Sequence, residues 1–270
     1  MIVTSLFSGS SGNAIFVRDG KTAVLVDAGV SFARLKQALS EIGESAFDLN
    51  GVLITHEHID HVAAVAQMIK QTSLCFFLAP ECAMAIYTQL AVKTPDLAEN
   101  FAARVRTVEA GKSYECESLV FSPFFLPHDS VCCFGYRIGN DENENLLGVA
   151  TDLGQMTVEA RRALAACENV VLESNHDPEL LKNGPYPRYL QERILSPYGH
   201  LSNADSAALL QAACSQKVRN ALLFHLSREN NRPDLALKSA RDALSALGAT
   251  GEVRVSVASP DAPVFFVTED

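Results

Sequence analysis

Residues 55–61 read THEHIDH, placing His56, Glu57, His58, Asp60 and His61 within one short run. Imidazole and carboxylate groups are ligands of borderline divalent ions. The chemistry indicated is therefore metal binding, with Zn²⁺ first and Mn²⁺ or Fe²⁺ as alternatives. Spacing refines this. Residues two apart point the same way on extended chain but do not face each other on a helix. His56 and His58 are expected to converge in the turn after a strand over 51–55, with Glu57 and Ile59 directed elsewhere. Asp60 and His61 open a helix over 60–71 whose Val62, Val65 and Ile69 face the core. Being adjacent, they suit a second centre beside the first.

Two ions need more ligands than this run supplies, and the surrounding elements offer them. Apolar, β-branched runs recur as IVTSL, AIFV, TAVLVD, GVLIT, LVFSPFFL, LLGVATD, NVVLES, NALLFHL and APVFFV, and are expected to be strands. Amphipathic or Ala/Leu-rich stretches at 31–41, 156–166, 203–214 and 233–247 are expected to be helices. Their alternation, with hairpins such as 14–18 and 22–27, predicts an α/β chain with partly antiparallel sheets covered by helices. Six strand candidates run into a ligand-capable residue: Asp27, His56, His128, Asp152, Glu173 and His225. Strands that deliver reactive groups at their carboxyl ends build a site along one edge of a sheet.

The whole chain sets bounds. Its 270 residues, 48% hydrophobic, suffice for one large domain, or two small ones, with a sizeable core. A net charge of −10 argues against a generally basic nucleic-acid-binding surface but leaves room for a local basic strip. The N-terminus lacks a basic segment, so no signal peptide is expected, and no apolar run is long enough to predict a membrane span. Cys75, Cys82, Cys116, Cys132, Cys133, Cys167 and Cys214 form no CxxC pair and are expected to be reduced, buried thiols of a cytoplasmic protein.

The succession Asp27, His56-x-His58-x-Asp60-His61, His128, Asp152 and His225 resembles the recurring motifs of the metallo-β-lactamase fold hydrolases, over nearly the whole chain. SGSSGN (8–13), TDLG (151–154), LESNHDP (172–178), GHLSN (199–203) and HLSRENN (225–231) look more narrowly like the YycJ/WalJ-like branch, proposed as DNA exonucleases; GHLSN through HLS is also similar to tRNase Z. The resemblance implies a four-layer αβ/βα sandwich, spanning 1–270 as a single domain with a helical active-site segment near 174–203. It implies that His56, His58 and His128 hold one ion, that Asp60, His61 and His225 hold the other, and that Asp152 bridges them. Asp27 would orient a ligand rather than bind metal, and Asp60 would also help orient the nucleophile.

Two ions about 3.5–4 Å apart can share a water, lower its pKa and offset charge developing on phosphate oxygens. A phosphodiester also needs its leaving group protonated. In tRNase Z a histidine in the GHLSN-like position does this, paired with a glutamate, which here would be His200 with Glu173. A carboxylate beside an imidazole favours its protonated form. His176 is the other candidate, although NHDP also reads as a turn leading into a helix. SGSSGN suits either a tight turn or a phosphate-cradling rim. KNGPYPRYLQER (182–193) carries Lys182, Arg188 and Arg193 beside Tyr186 and Tyr189, which suits a nucleic-acid strand or a solvated helix.

The function these features predict is a dinuclear phosphodiesterase or nuclease acting on DNA, with 5′→3′ exonuclease activity as its finest form. A small-molecule hydrolase acting on a cyclic phosphodiester, thioester or lactone is the alternative, which the negative charge favours. His225 lies 73 residues after Asp152, too close for the inserted domain of β-CASP nucleases. His58 stands where the oxygen-reducing flavodiiron branch carries glutamate, which argues against redox chemistry. A metal-bound regulator without turnover is disfavoured because every motif position is filled.

Overall fold

Pairing register aligns the strand ends on which the sequence concentrates its ligand-capable residues. A computed structural model describes residues 1–214, 217–248 and 253–268. The chain divides into two compact units. The first comprises residues 1–123, 130–134 and the run from 259, and the second 124–129 and 135–258.

The first unit contains β1 (Ile2–Phe7), β2 (Ala14–Asp19), β3 (Thr22–Val26), α1 (Phe32–Glu41), β4 (Gly51–Leu53), α2 (Ile59–Val62), α3 (Val65–Gln71), β5 (Cys75–Leu78), α4 (Pro80–Lys93), α5 (Pro95–Arg104), β6 (Val105–Thr107), β7 (Tyr114–Cys116) and most of β8 (Leu119–Phe125). The second contains most of β9 (Phe134–Asn140), then β10 (Leu147–Ala150), α6 (Val158–Ala165), β11 (Asn169–Glu173), α7 (Pro178–Asn183), α8 (Arg188–Ile194), α9 (Asn203–Ala213), β12 (Asn220–Phe224), α10 (Pro233–Ala246) and β13 (Arg254–Val257). The chain then re-enters the first unit as β14 (Val264–Val267).

In the first unit the strand order is β14-β1-β2-β3-β4-β5-β6, antiparallel from β14 to β3 and parallel from β3 to β6. In the second, β13, β12, β11 and β10 are parallel neighbours, and β9 pairs antiparallel with β10. Strands β3, β4, β10 and β11 are buried throughout, as parallel strands covered on both faces must be. Each fully buried Val, Leu or Ile side chain there contributes about 1.5–3 kcal/mol. Prolines 80, 95, 178 and 233 occupy first-turn positions, where a missing N–H costs no hydrogen bond.

Two expected elements are shorter than the patterns suggest. The strand over 51–55 ends at Leu53, and the helix over 60–71 breaks into α2 and α3. At the break the Ala64 N–H leaves the helical ladder and donates to the Ala28 carbonyl at 2.9 Å. The Ala28 N–H returns to the His61 carbonyl at 2.8 Å, so residues 27–29 are laced to the turn carrying Asp60 and His61. Strands β5, β6, β7, β9 and β13, and helices α4 and α5, escaped the apolar-run reading. Four of the seven cysteines are buried as expected; Cys75, Cys132 and Cys214 are half-buried. No described helix is long and apolar enough to cross a membrane.

The lacing leaves no room at Gly29: a Cβ there would lie 1.6 Å from the Asp60 carbonyl oxygen and 2.6 Å from the Asn13 nitrogen. Gly29→Ala must push the Asp60 turn away. It is expected to cost at least about 1–3 kcal/mol of stability, read as a lowered urea midpoint at unchanged slope.

Candidate metal centre

The first unit presents THEHIDH as a tight cluster. His56 and His58 do converge, their ring centroids 4.6 Å apart and nearly perpendicular; the His56 and His61 rings are 4.1 Å apart. His58 is extended, at φ −61° and ψ 146°, and caps α2. Glu57 turns away: its Oε1 accepts the Val131 N–H at 3.0 Å and its Oε2 the Cys82 thiol at 3.5 Å. Ile59 points to solvent, 73% exposed.

Asp27 organises the run. Its Oδ1 accepts the Thr55 N–H at 2.8 Å, and its Oδ2 accepts the Thr55 hydroxyl at 2.9 Å and faces His61 Nδ1 at 2.7 Å. Burial pushes its carboxyl above the ordinary range, opposed by the imidazole of His61 and the bonds from Thr55. A carboxylate accepts only, so His61 donates from Nδ1 and carries its lone pair on Nε2. Asn13 agrees, directing its amide nitrogen at that Nε2 from 3.0 Å. The same residue ties SGSSGN to the site: its backbone N–H donates to the Asp60 carbonyl at 2.9 Å, and its side-chain oxygen accepts the Gly9 N–H at 2.8 Å.

The second unit gathers His128, Asp152, Glu173, His200 and His225. Glu173 closes β11 and is fully buried. Its Oε1 faces His200 Nδ1 at 2.8 Å and His225 Nδ1 at 2.9 Å. Its Oε2 accepts the N–H groups of Leu201 at 2.9 Å and Leu153 at 3.2 Å. Burial is the largest influence and pushes the carboxyl up, but the two imidazoles overcome it and hold Glu173 well below the usual carboxylate range. Asp152 Oδ1 lies 3.3 Å from His225 Nδ1 and 3.7 Å from His200 Nδ1. Asp152, Glu173, His200 and His225 each offer a ligand atom within 4.8 Å of the others. His128 Nδ1 faces the Gly199 carbonyl at 3.2 Å, and burial lowers its pKa.

These second partners test whether the residues suit a divalent ion. In His61 and His225, Nδ1 faces a carboxylate oxygen. Each of these imidazoles is held as the tautomer whose Nε2 can ligate, the arrangement metal-binding histidines require. His128 has acceptors at both ring nitrogens, the Gly199 carbonyl at Nδ1 and Asp129 Oδ1 at Nε2. The donor set is imidazole and carboxylate, with no thiolate, and it fits such an ion.

Backbone geometry serves the same end. Among the described non-glycine residues, Asp27 (φ 63°), Asp152 (56°), His225 (57°) and Glu117 adopt positive φ. Asp27 and His225 directly follow β3 and β12, and Asp152 lies two residues past the end of β10. Such conformations cost of order 1–3 kcal/mol each and cluster at functional sites. His176 lies apart. It is buried at 1% exposure, neither ring nitrogen has a hydrogen-bond partner, and burial lowers its pKa. His200, with its side chain 16% exposed, is the more accessible of the two proton-donor candidates.

Sequence reasoning did not single out Asn13, Thr55 or the Gly199 carbonyl. The amides of LESNHDP, GHLSN and HLSRENN have a role that only the fold makes visible. Ser174 donates to Asn203 Oδ1 at 2.7 Å, Asn203 donates to Asn231 Oδ1 at 2.8 Å, and Asn231 donates to the Ser174 carbonyl at 2.8 Å. Asn175 donates to the His225 carbonyl at 3.0 Å. A closed, buried amide network thus clamps the three loops bearing Glu173, His200 and His225. NHDP is the turn expected, with Asp177 capping α7.

Comparison with known proteins bears on the family and the fold. The beta-lactamase superfamily domain matches residues 22–226. The chain is 31% identical over 258 residues to the exodeoxyribonuclease WalJ of Streptococcus pneumoniae, covering 95% of this chain and 93% of that protein. It is 30% identical over 243 residues to the exodeoxyribonuclease YycJ of Bacillus anthracis, covering 90% and 89%. The Zn²⁺-bound PqqB of Methylobacterium extorquens has a similar fold, with a TM-score of 0.69 at 15% identity over 98% and 99% of the two chains. The expected fold class, mixed α/β of the metallo-β-lactamase type, is borne out.

Asp27→Asn keeps an acceptor for His61 but removes the charge. It is expected to lower metal affinity about 10–100-fold, measured by competition with a chromogenic chelator; unchanged affinity would remove Asp27 from the ligand-orienting role.

Proposed function

This chain belongs to the β-lactamase superfamily, and from that premise we propose that it is a dinuclear metal-dependent phosphodiesterase that degrades DNA as an exonuclease, with 5′→3′ as the polarity to test. The ligand set is carried over residue by residue from the family's motif order. His56, His58 and His128 would hold one ion and Asp60, His61 and His225 the other, with Asp152 as a ligand that would serve both. Zn²⁺ and Mn²⁺ are the ions to test first, with Fe²⁺ third. Bound, the pair supplies a water nucleophile of lowered pKa and charge stabilisation on the phosphate. The chain is proposed to act as a single catalytic domain over residues 1–270.

The observation that carries the reading is the Glu173–His200 pair. A thioester hydrolase expels a thiolate, which leaves without a proton, whereas a phosphodiesterase expels an alkoxide and benefits from a proton donor. Glu173 holds His200 by Nδ1 at 2.8 Å, so the proton available to substrate is on Nε2. The same carboxylate holds His225, which keeps the proton donor in register with a proposed ligand. His176 is the second candidate donor, and its burial suits a supporting role behind the site. The two exodeoxyribonucleases, similar over nine-tenths of the chain, support DNA as the substrate. A cytoplasmic setting is consistent with the seven free thiols. The net charge of −10 favours a small substrate and keeps a small-molecule hydrolase as the second reading.

Metal-loaded protein is expected to release the label of 5′-labelled duplex DNA as a mononucleotide or short product, and to cleave bis-p-nitrophenyl phosphate. Turnover of a thioester with no diester cleavage would reject the nuclease reading. His200→Ala is expected to reduce DNA turnover about 10²–10⁴-fold while metal content per chain stays at the wild-type value. Undiminished turnover by that variant sinks the acid role.

A further inference from the structure

Asp129 follows the proposed ligand His128, and its carboxylate is held in two directions. Arg193, in the last turn of α8, grips it with Nε on Oδ2 and with Nη2 on Oδ1 at 3.0 Å. The same Oδ1 lies 3.3 Å from His128 Nε2. An anionic oxygen pair thus already spans the gap between the Arg193 guanidinium and the ligating face of His128. That is the span a phosphate oxygen pair covers, and a guanidinium fork matches phosphate as well as it matches carboxylate.

The position of this fork is built, not incidental. The Arg193 backbone carbonyl accepts the Ser196 N–H at 3.2 Å, and the next carbonyl, of Ile194, accepts the His200 N–H at 2.9 Å. Gly199 lies so close that a Cβ there would meet these two carbonyl oxygens at 2.3 and 2.2 Å. One turn therefore carries the fork, the carbonyl that orients His128 and the proposed proton donor. The guanidinium is half exposed, with the Arg193 side chain at 51%, so an incoming strand can reach it. Tyr198 on the same turn is 58% exposed, an apolar ledge of the kind on which bases stack. The surroundings give this cation a task. Asp152 and Glu173 are both carboxylates, and the chain as a whole carries −10, so a polyanionic strand needs a local positive group to approach.

We propose that Arg193 is a substrate-binding residue that takes a non-bridging oxygen of a DNA phosphate at the reaction site, with Asp129 as the positioning residue that keeps the fork in place until the strand arrives. This rests on the nuclease reading above. On binding, the phosphate shares or replaces the carboxylate on the guanidinium, and no covalent step is involved.

The test is binding of a fluorescein-labelled single-stranded oligonucleotide in EDTA, where no cleavage occurs, followed by anisotropy across a salt series. Each phosphate contact contributes about 0.7 to the slope of log affinity against log salt for single strands. Arg193→Ala is expected to weaken binding roughly tenfold and to flatten the slope by about one contact. Arg193→Lys is expected to recover the slope but not the full affinity, because an ammonium keeps the charge and loses the fork. Asp129→Asn is expected to keep the slope, since the guanidinium remains. Wild-type affinity and slope in Arg193→Ala would overturn the proposal. So would equal losses of thermal stability in Arg193→Ala and Asp129→Asn with unchanged slopes, which would make the pair a strut. Failure of the underlying reading shows separately, in wild-type protein that neither binds nor cleaves DNA, and it would overturn this proposal as well.

Discussion

A buried, ionised carboxylate with four N–H partners is the constraint on which the second unit turns. Glu173 has no exposure, and an isolated charge in such a place costs several kcal/mol. Its four donors come from three segments: Leu153 after β10, His200 and Leu201 before α9, and His225 after β12. Unless all three segments arrive, the charge is left uncompensated. The interaction that stabilises the interior therefore also sets the two imidazoles, and the structural and chemical demands on Glu173 cannot be separated.

Asp27 plays the equivalent part in the first unit. It stands just past the end of β3, buried, and joins Thr55 and His61 across the residues of THEHIDH. Both carboxylates accept a backbone N–H as well as an imidazole, so each fixes main chain and side chain together. The positive φ at Asp27, Asp152 and His225 belongs to the same design. A strand that simply continued would carry these groups onward along the sheet; a left-handed residue turns the chain at the edge. The strain is held because the neighbouring groups are already bonded.

The amides of LESNHDP, GHLSN and HLSRENN complete this logic. Ser174, Asn175, Asn203 and Asn231 satisfy one another and nearby carbonyls in a buried network. Such networks are costly when half formed and rigid when complete. They suit the task of holding three loops at fixed separations behind reactive groups.

Much of the site was legible in the sequence because its signals are local. Ligand type and two-residue spacing marked His56 and His58 and excluded Glu57, and apolar runs ending in polar residues marked Asp27, Asp152, Glu173 and His225. Strand identity followed from the same runs, since a fully buried parallel strand must be continuously apolar. The break at Ala64 was not legible, because its cause is the carbonyl of Ala28, far off in sequence. Nor was the role of Gly199, whose carbonyl orients His128 and which no side-chain pattern could announce. Asn13, Thr55 and the Asp129–Arg193 pair belong to the same class. The sequence by itself determined which groups are available for chemistry and at which strand ends they stand, because those are properties of residue type and period. Only the tertiary structure decided which nitrogen each imidazole presents and which carboxylates are buried as charges, because those depend on partners brought together from distant segments.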